Sequence, residues 1–425
     1  MTIFLPEGSP LENLQALAEV SGFGITDMGD AGEGPWTYRI LPEPLLTAEL
    51  ARLSGASTRA CVDITSLQPC PAHVATSQDR YVTQEWDIAG GIWLFNAVLD
   101  GHLNHHTVDY VSRTLPSRIM HSLELMIGSD ASVRPERVSS LLRDSIIDLD
   151  KTIHSEFLDL FSLPNQIEQL TDLEIAEIFS NNNAGRHSYE VAMRCLGGTT
   201  VVLSLTDPGS KNLWVANLGD CQAVLVQRGI DRQWIGSQIN TLHNATNAHE
   251  VQRFKNEHPN EMCALRDGRI LGFLEPMRAI GDMWLKLPRH FSERIFPNIC
   301  QRWISPIQFA QYAQDIYSPP YVSNIPDIFH LNLRSSAFAL ILCSDGLPSL
   351  DYYQDTDMDV VINRWSKLVG SYMDSSRGNQ HNNIALCLLR DGLGGEDNER
   401  VSRNLTVEME ERWMDDVTIL VQRRE

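Results

Sequence analysis

Two apolar runs in this 425-residue chain end in an aspartate that is followed at once by glycine. The run IWLFNAVLDGH places Asp100 after a strand-like segment, and the run AFALILCSDG does the same with Asp345. A carboxylate at the end of a buried strand is costly to desolvate, so it needs a cation or backbone donors as partners. The pattern therefore predicts a fold in which strand ends meet around polar chemistry.

Further aspartates stand at the starts of strand-like segments. Asp79 occurs in SQDRYV, and Asp415 and Asp416 occur in MDDVTILVQ. Hard divalent ions such as Mg²⁺ or Mn²⁺ take carboxylate, carbonyl and water oxygens as ligands. Each aspartate taken singly is more simply explained as the cap of a turn. Four such places in one chain indicate strand ends that converge on a shared cation site.

Short strands and long helices are expected between these aspartates. Apolar runs rich in β-branched residues predict strands at 92–99, 200–205, 213–217, 223–227, 338–343 and 417–422. Helical runs are predicted at 107–126, 135–161, 247–256 and 360–372, with a weak helical stretch near 46–53. The second helix carries a core-facing stripe at Leu141, Leu142, Ile146, Leu149 and Ile153. Strands grouped between long helices favour an α+β fold, with sheets packed on each other and helices outside.

Composition excludes several classes of protein. The formal net charge of -21 argues against a nucleic-acid binder, which needs basic patches to neutralise phosphates. It also argues against docking on anionic membranes. A soluble globular chain that handles phosphate while carrying this charge needs local positive charge, and bound metal cations are one source.

The eight cysteines are dispersed and none forms a CxxC pair. This spacing fits neither a disulfide framework nor a zinc-ribbon site, and it favours a reducing compartment. No apolar stretch reaches the roughly 18 residues that a membrane-spanning helix needs. The first residues, MTIFLPEGSPLENLQ, resemble neither a secretory signal nor a transit peptide, so the N-terminus as given favours a cytoplasmic location.

A series of segments resembles, in the same order, the motifs of the type-2C metal-dependent protein serine/threonine phosphatases, and among them the pyruvate dehydrogenase phosphatase branch. One such motif alone would be weak, whereas the whole set, over residues 55–425, carries the resemblance. The segments are SQDRYV, VLDGHLNHHTVDYV, GGTTVVLSL, NLWVANLGDCQAVL, HNATNAHEVQRF, RILGFLEPMRAIGD, PPYVSNIPDI, ALILCSDGL and DDVTILV.

The resemblance implies a central β-sandwich of two antiparallel sheets flanked by helices, with two Mg²⁺ or Mn²⁺ ions at one end. Position by position, it implies that the metal ligands are Asp79, Asp100, the Gly101 carbonyl, Asp345 and Asp415. Asp416 matches a position that is usually asparagine. The implied reaction is hydrolysis of phosphoserine or phosphothreonine in a phosphoprotein, by a water that bridges the two metals.

Further roles are implied for neighbouring motifs. His102 matches the residue proposed as general acid for the leaving alkoxide, so His102 and Asp100 are the expected catalytic residues. Arg278 and Asp282 are expected to brace the site or its flap. The stretch Asn217–Asp220 is expected to form a structural turn.

Other positions depart from the family pattern. The first motif usually reads Glu-Asp, and Gln78 stands here for the glutamate. Val74 stands where many members have a phosphate-clamping arginine, a residue that the pyruvate dehydrogenase phosphatase branch also tends to lack. Cys195 and Ser349 replace two aspartates that hold a third metal in many members. Losses in the shell around a metal typically cost about 10- to 100-fold in affinity or activity.

These departures leave two interpretations open. The chain is either an active phosphatase that binds metal weakly or a pseudophosphatase that binds a partner or phosphoprotein without turnover. Two further alternatives are an interaction protein with no metal and a metal-dependent phosphohydrolase of small molecules. The substrate is open, although the branch resemblance favours a mitochondrial dehydrogenase complex and a mitochondrial location.

The resemblance also suggests a domain organisation. We expect an N-terminal extension over residues 1–54 and a catalytic domain over 55–425. The stretch near 289–320 contains several prolines and no clear periodicity, so we interpret it as an irregular inserted lid or flap.

Overall fold

The fold combines long helices with antiparallel sheets. A computed structural model describes residues 22–29, 33–129, 133–161, 167–179, 186–229, 231–299, 306–333, 337–374 and 383–424. The helices are α1 (Leu45–Leu53), α2 (His105–Ser129), α3 (Pro135–Leu158), α4 (Asp172–Ile178), α5 (Arg186–Leu196), α6 (Ala248–Glu257), α7 (Met283–Lys286), α8 (Arg289–Arg294), α9 (Phe296–Ile299), α10 (Pro306–Gln314), α11 (Met358–Asp374), α12 (Ile384–Leu393) and α13 (Asn398–Thr406).

The strands are β1 (Phe23–Thr26), β2 (Trp36–Arg39), β3 (Ser57–Arg59), β4 (Val62–Leu67), β5 (Arg80–Ile88), β6 (Gly91–Leu99), β7 (Gly101–His102), β8 (Gly198–Thr199), β9 (Val201–Thr206), β10 (Asn212–Leu218), β11 (Gln222–Arg228), β12 (Trp234–Gln238), β13 (Leu265–Arg266), β14 (Arg269–Ile270), β15 (Ile280–Gly281), β16 (Asp327–Asn332), β17 (Phe338–Cys343) and β18 (Val417–Arg424). The predicted strands and helices occur at their predicted places, with bounds that differ by a few residues.

The chain divides into two compact units. The first unit comprises residues 1–77, 226–236 and 346–425, and the second comprises 78–225 and 237–345. Each unit is described by itself below.

The second unit contains a five-stranded antiparallel sheet in the order β16-β10-β9-β6-β5. All six residues of β9 and all but the first of β10 are buried, which explains why they read as nearly continuous apolar runs. The wholly buried strand β17 packs against β6 and β9. Antiparallel strands that pack face to face beside long helices confirm the predicted α+β fold class.

Helix α3 shows why the apolar stripe is a dependable signal. Leu142, Ile146, Leu149 and Ile153 recur on one face at helical spacing and are fully buried in the core of the second unit. Leu141, one position off the centre of the stripe, is only partly buried against that core. The helix begins at Pro135, where proline costs no hydrogen bond because the first turn lacks an acceptor for its N–H.

The stretch 289–320, predicted to be irregular, contains the helices α8, α9 and α10. That prediction was wrong because two of its prolines lie at helix starts: Pro306 is the first residue of α10 and Pro297 is the second of α9. Phe291 and Phe296 pack against Phe157 of α3, at ring-centroid distances of 6.1 and 5.4 Å. The described part of this segment is therefore built into the core, and its role as a lid or flap stays a prediction.

The first unit contains the hairpin β1-β2, the antiparallel strands β18-β4-β3 and the helices α11 to α13. The described part of the expected N-terminal extension packs on α13. The Tyr38 hydroxyl donates to Glu399 at 2.8 Å, and the Arg39 N–H donates to the Thr406 hydroxyl at 2.9 Å. The proposed boundary at residue 54 stays a prediction.

Among the residues that the structure describes, no helix combines the length and the apolar character needed to cross a membrane.

Phe157 is a direct test of the packing between α3 and the 289–299 segment. Phe157→Ala should lower the free energy of unfolding by about 3–5 kcal/mol, because it opens a cavity among four neighbouring phenylalanine rings. Chemical denaturation followed by fluorescence measures the change. Leu173→Ala, at an exposed position of α4, is the control and should change stability little. Equal effects of the two substitutions would contradict the packing described here.

Candidate active site

The pairing of β5 with β6 places Asp79 and Asp100 at the same end of the five-stranded sheet. The register pairs Arg80 with Leu99, so Asp79 and Asp100 occupy the next pair of positions along the two strands. Facing residues of antiparallel strands have Cα atoms about 4.5–5.5 Å apart. Asp79 is buried, and the Ser344 hydroxyl donates a 2.7 Å hydrogen bond to its Oδ2 atom.

Ser344 directly follows β17, so this bond brings Asp345 to the same region. The electrostatics agree with that placement. Burial, followed by the nearby charge of Asp345, raises the pKa of Asp220 well above its usual range. Burial and the charges of Asp345 and Asp79 likewise raise the pKa of Cys343. The aspartates at these strand ends therefore concentrate negative charge in one part of the second unit.

Gly101 lies in a crowded position directly after Asp100. A Cβ atom there would come within 2.8 Å of the Val108 side chain and 2.9 Å of the Gln78 carbonyl oxygen, so only glycine fits without a shift. The Asp100 carbonyl accepts hydrogen bonds from the Thr200 N–H at 2.9 Å and the Thr199 hydroxyl at 3.0 Å. These contacts fix the backbone around the DGH motif.

His102 is held by Asp282. The Nε2 atom of His102 lies 2.9 and 2.8 Å from the two carboxylate oxygens of Asp282, which is fully buried. An ionised carboxylate only accepts hydrogen bonds, so this contact places a proton on Nε2 and leaves Nδ1 for other chemistry. The resemblance implied that Asp282 braces the site but did not say which residue it contacts. In the structure that residue is His102.

A three-stranded sheet in the order β15-β8-β7 makes the His102–Asp282 contact possible. Gly198 of β8 pairs with His102 on one side and with Gly281 on the other. A side chain at Gly198 would collide with both Asp282 Oδ2 and His102 Nε2. Asp282 itself has a left-handed backbone with φ 51°, which costs a residue other than glycine about 1–3 kcal/mol. The surrounding contacts offset this strain.

Asp415 and Asp416 lie in the first unit, at the start of β18. The Asp415 side chain is 52% exposed and pairs with the guanidinium of Arg412. The Asp416 side chain is only 4% exposed, accepts a 2.8 Å hydrogen bond from the Gln68 amide and lies 3.3 Å from Arg412. Arg412 is thus an internal cation for both carboxylates. These two ion pairs could not be predicted from the sequence motifs.

A cavity of about 770 Å³ in the first unit borders Asp415. Ser349, at a position for which the resemblance implies an aspartate in many family members, lines the same cavity. Two arginines of α13 also line it: Arg400 forms a 2.7 Å ion pair with Asp351, and Arg403 lies 3.5 Å from the same carboxylate. The cavity therefore places mostly polar and charged residues next to one of the predicted ligands.

Within the described ranges, no group of three or more His, Cys, Asp or Glu side chains is already gathered around one point as a metal site. The predicted ligands nevertheless have the oxygen chemistry that Mg²⁺ and Mn²⁺ prefer. In the second unit Asp79, Asp100 and Asp345 all stand at strand ends near one another, where a bound cation would reduce their mutual repulsion. These residues therefore fit a divalent cation in chemistry, although they are not assembled around one.

The remaining motif residues have structural contacts. Asn217 donates to the carbonyl oxygens of Gly219 and Thr241, as expected of a turn. Arg278 pairs with buried Glu250 and, at 3.1 Å, with Asp327. The charge of Arg278 and a hydrogen bond from His243 keep the pKa of Asp327 below its usual range, with the hydrogen bond as the larger cause.

Comparison with known proteins places this arrangement in context. The family model described as protein phosphatase 2C matches residues 93–378, more than half of the chain. A protein phosphatase 2C homologue of Schizosaccharomyces pombe is 27% identical over 84% of this chain and 78% of its own length. Pyruvate dehydrogenase phosphatase 1 of Saccharomyces cerevisiae is 25% identical over 64% of this chain, and phosphatase 2 of Homo sapiens is 29% identical over 60%. The matches span 44% and 53% of those two mitochondrial proteins, about half of their length.

Solved structures show the same fold at low sequence identity. A serine-threonine phosphatase 2C from Toxoplasma gondii superimposes with a TM-score of 0.51 at 13% identity, covering 87% of this chain and 97% of that one. A sex-determining protein of C. elegans superimposes with a TM-score of 0.50 at 17% identity, covering 86% of this chain and 65% of that one.

Gly198 provides a test of the His102–Asp282 contact. Gly198→Ala should separate the two side chains, because the added methyl group would overlap both. The imidazole nitrogen signals of His102 in NMR spectra should shift, and the protein should lose stability. Gly209→Ala is the control, since its methyl group would meet only Lys211 atoms at 3.6 Å or more. Unchanged His102 signals in Gly198→Ala would show that the contact is not formed as described.

Proposed function

Because this chain belongs to the protein phosphatase 2C family, we propose that it hydrolyses phosphoserine and phosphothreonine in proteins with the help of two Mg²⁺ or Mn²⁺ ions. The observation that carries this proposal is that Asp79, Asp100 and Ser344–Asp345 lie at strand ends near one another, with only Gly101 between Asp100 and the His102 that contacts Asp282. The family resemblance and the pyruvate dehydrogenase phosphatase relatives support the same reaction class.

The proposed metal ligands are the side chains of Asp79, Asp100, Asp345 and Asp415, with the Gly101 carbonyl. Asp79 and Asp100 directly flank the last facing pair of β5 and β6, and Asp345 adds negative charge in the same region. Asp415 is the most exposed member of the set, and its present partner is Arg412. When bound, the two cations would activate water for in-line attack on phosphorus and neutralise charge on the phosphate oxygens.

The chain's own residues supply the proton chemistry and the orientation. The Asp282 carboxylate holds Nε2 of His102, so the imidazole can turn only its Nδ1 edge towards a substrate. From Nδ1, His102 would donate a proton to the alkoxide of serine or threonine as the bond to phosphorus breaks. The crowding around Gly101 and the bonds to the Asp100 carbonyl keep this segment in a fixed position.

The alternative function is that of a pseudophosphatase, which would bind a partner or phosphoprotein without turnover. Three features favour it: Gln78 in place of the family glutamate, the loss of the third metal position at Cys195, and the pairing of Arg412 with Asp415. Turnover of a phosphothreonine peptide, measured while Mn²⁺ is titrated from micromolar to tens of millimolar, separates the two functions. Activity that saturates only at high metal supports the enzyme, and a folded protein without activity at any metal level supports the alternative.

The substrate is proposed from the relatives alone. Their printed names indicate a mitochondrial dehydrogenase complex, so phosphopeptides derived from such complexes are the first phosphoprotein substrates to test. The same relatives make a mitochondrial location the proposal to test first by localising the tagged full-length chain.

Neutralising either of two strand-end carboxylates should abolish the activity. Asp100→Asn and Asp345→Asn each remove one charged ligand while keeping the side-chain size, so Mn²⁺-dependent hydrolysis should fall to background while the fold is retained. Peptide turnover and circular dichroism measure the two properties. Asp87→Asn, an exposed aspartate of β5, is the matched control and should retain full activity. Activity that survives either ligand substitution would show that the metal assignment is wrong.

Arg412 should compete with the metal for Asp415. Arg412→Gln removes the internal cation, so the Kd for Mn²⁺ should fall roughly two- to fivefold, as expected from an ion pair of about 0.5–1 kcal/mol. Isothermal titration calorimetry measures this Kd without any turnover. The control is Arg52→Gln, because Arg52 forms the same i,i+3 type of pair with Glu49 on α1. An unchanged or weaker Mn²⁺ affinity in Arg412→Gln would exclude competition at Asp415.

A further inference from the structure

Helix α3 carries an aspartate on its buried face, next to the apolar stripe. Asp150, next to Leu149 in the sequence, is buried. Its carboxylate pairs with Lys286, whose side chain is only 9% exposed. A buried ion pair is costly unless further hydrogen bonds complete it. The resemblance to the phosphatase family assigned this residue no role.

The hydrogen bonds of Asp150 are complete and specific. Its Oδ1 atom accepts from the Gly281 N–H at 2.8 Å and from the Lys286 ammonium at 2.8 Å. Its Oδ2 atom accepts from the Asn324 amide at 2.9 Å. Lys286 donates a second hydrogen bond to the Ala279 carbonyl at 2.8 Å. Asp150 thus connects α3 to Gly281, which precedes Asp282, and to Lys286, which follows it.

The segment that Asp150 holds is a strained turn. Gly281 has φ 89° and Asp282 has φ 51°, so two consecutive residues take left-handed conformations. The Asp282 N–H donates to the Gly197 carbonyl at 2.9 Å, which fixes the turn from the side of β8. The Asp150 carboxylate fixes it from the side of α3, through the preceding N–H of Gly281. Such a conformation persists only when surrounding contacts determine it.

The turn decides where the Asp282 carboxylate points, and that carboxylate holds His102. A continuous series of contacts therefore runs from Lys286 through Asp150, the Gly281 N–H and Asp282 to the imidazole. All of its members lie in the second unit.

We propose that Asp150 is a positioning residue for proton transfer to the leaving group, acting through Gly281 and Asp282 on His102. The proposal rests on the proposed phosphatase function and on the role of His102 in it. A displacement of the catalytic group by about 1 Å is enough to cost on the order of 100-fold in rate. Loss of the Asp150 anchor should therefore weaken the acid step and leave metal binding unchanged.

Two substrates distinguish this role from a general structural one. A phosphothreonine peptide releases an alkoxide that needs a proton, whereas p-nitrophenyl phosphate releases a stable phenolate that does not. Asp150→Asn should lower kcat for the peptide roughly 10- to 100-fold, while kcat for p-nitrophenyl phosphate and the Kd for Mn²⁺ should change little. His102→Asn is the reference and should show the same selectivity to a larger extent.

Two further variants separate a local effect of Asp150→Asn from a loss of folding. Asp148→Asn, an exposed aspartate two positions away on α3, should leave both rates unchanged. Asn324→Ala removes only the partner of Oδ2, so it should give a smaller selective loss even if Asp150→Asn does not fold.

The outcomes separate the inference from the function on which it rests. Wild-type protein that hydrolyses neither substrate would overturn the proposed function, and the inference with it. Selective loss in His102→Asn, combined with equal losses on both substrates in folded Asp150→Asn or Asn324→Ala, would overturn the inference alone. Selective loss in all three variants supports it.

Discussion

The pairing of β5 with β6 brings two aspartates to the same end of the five-stranded sheet, and several surrounding contacts compensate the negative charge that results. Asp79 and Asp100 face each other by register, and Asp345 follows the neighbouring Ser344. Burying like charges together is unfavourable unless protons, hydrogen bonds or cations relieve them. The Ser344 hydroxyl donates a hydrogen bond to Asp79, and burial, followed by the charge of Asp345, raises the pKa of the nearby Asp220. Carboxylates held close together despite their mutual repulsion are typical of a functional site.

The sequence predicted most of the fold because the strands and helices of the core carry their signal locally. The stripe from Leu142 to Ile153 identifies α3 whatever it packs against, and FALILC identifies a buried strand. The prediction of an irregular structure for 289–320 was wrong for a related reason. Its helices are short, and the prolines that begin α10 and stand second in α9 look like breakers unless the helix start is known. Their burial against Phe157 depends on tertiary contacts, which periodicity does not report.

In the candidate site, too, some residues could be predicted from the sequence and others could not. Asp100, His102 and Asp345 could be predicted because each stands in a local motif at the end of an apolar run. The partners that orient them could not, since Asp282 is 180 residues from His102 and Ser344 is 265 residues from Asp79. Asp150 did leave a signal in the sequence, as an acid beside the centre of an apolar helical stripe. A buried carboxylate in that position requires a specific partner, and the partner is found only in three dimensions.

The departures from the family pattern are unequal in their chemical consequences. Cys195 lies in the core of the second unit, where its thiol donates to the Ile153 carbonyl, and burial raises its pKa well above the usual range. A thiol whose pKa is raised is a poor ligand for a hard cation, so Cys195 is unsuited to the third-metal role that the family resemblance implies for its position. The strand-end aspartates and the His102–Asp282 pair, by contrast, keep their positions and supporting contacts. The departures at Gln78 and Cys195 thus concern the expected metal shell, whereas the contact that holds the expected proton donor is present, and it is maintained at the cost of a left-handed backbone at Asp282.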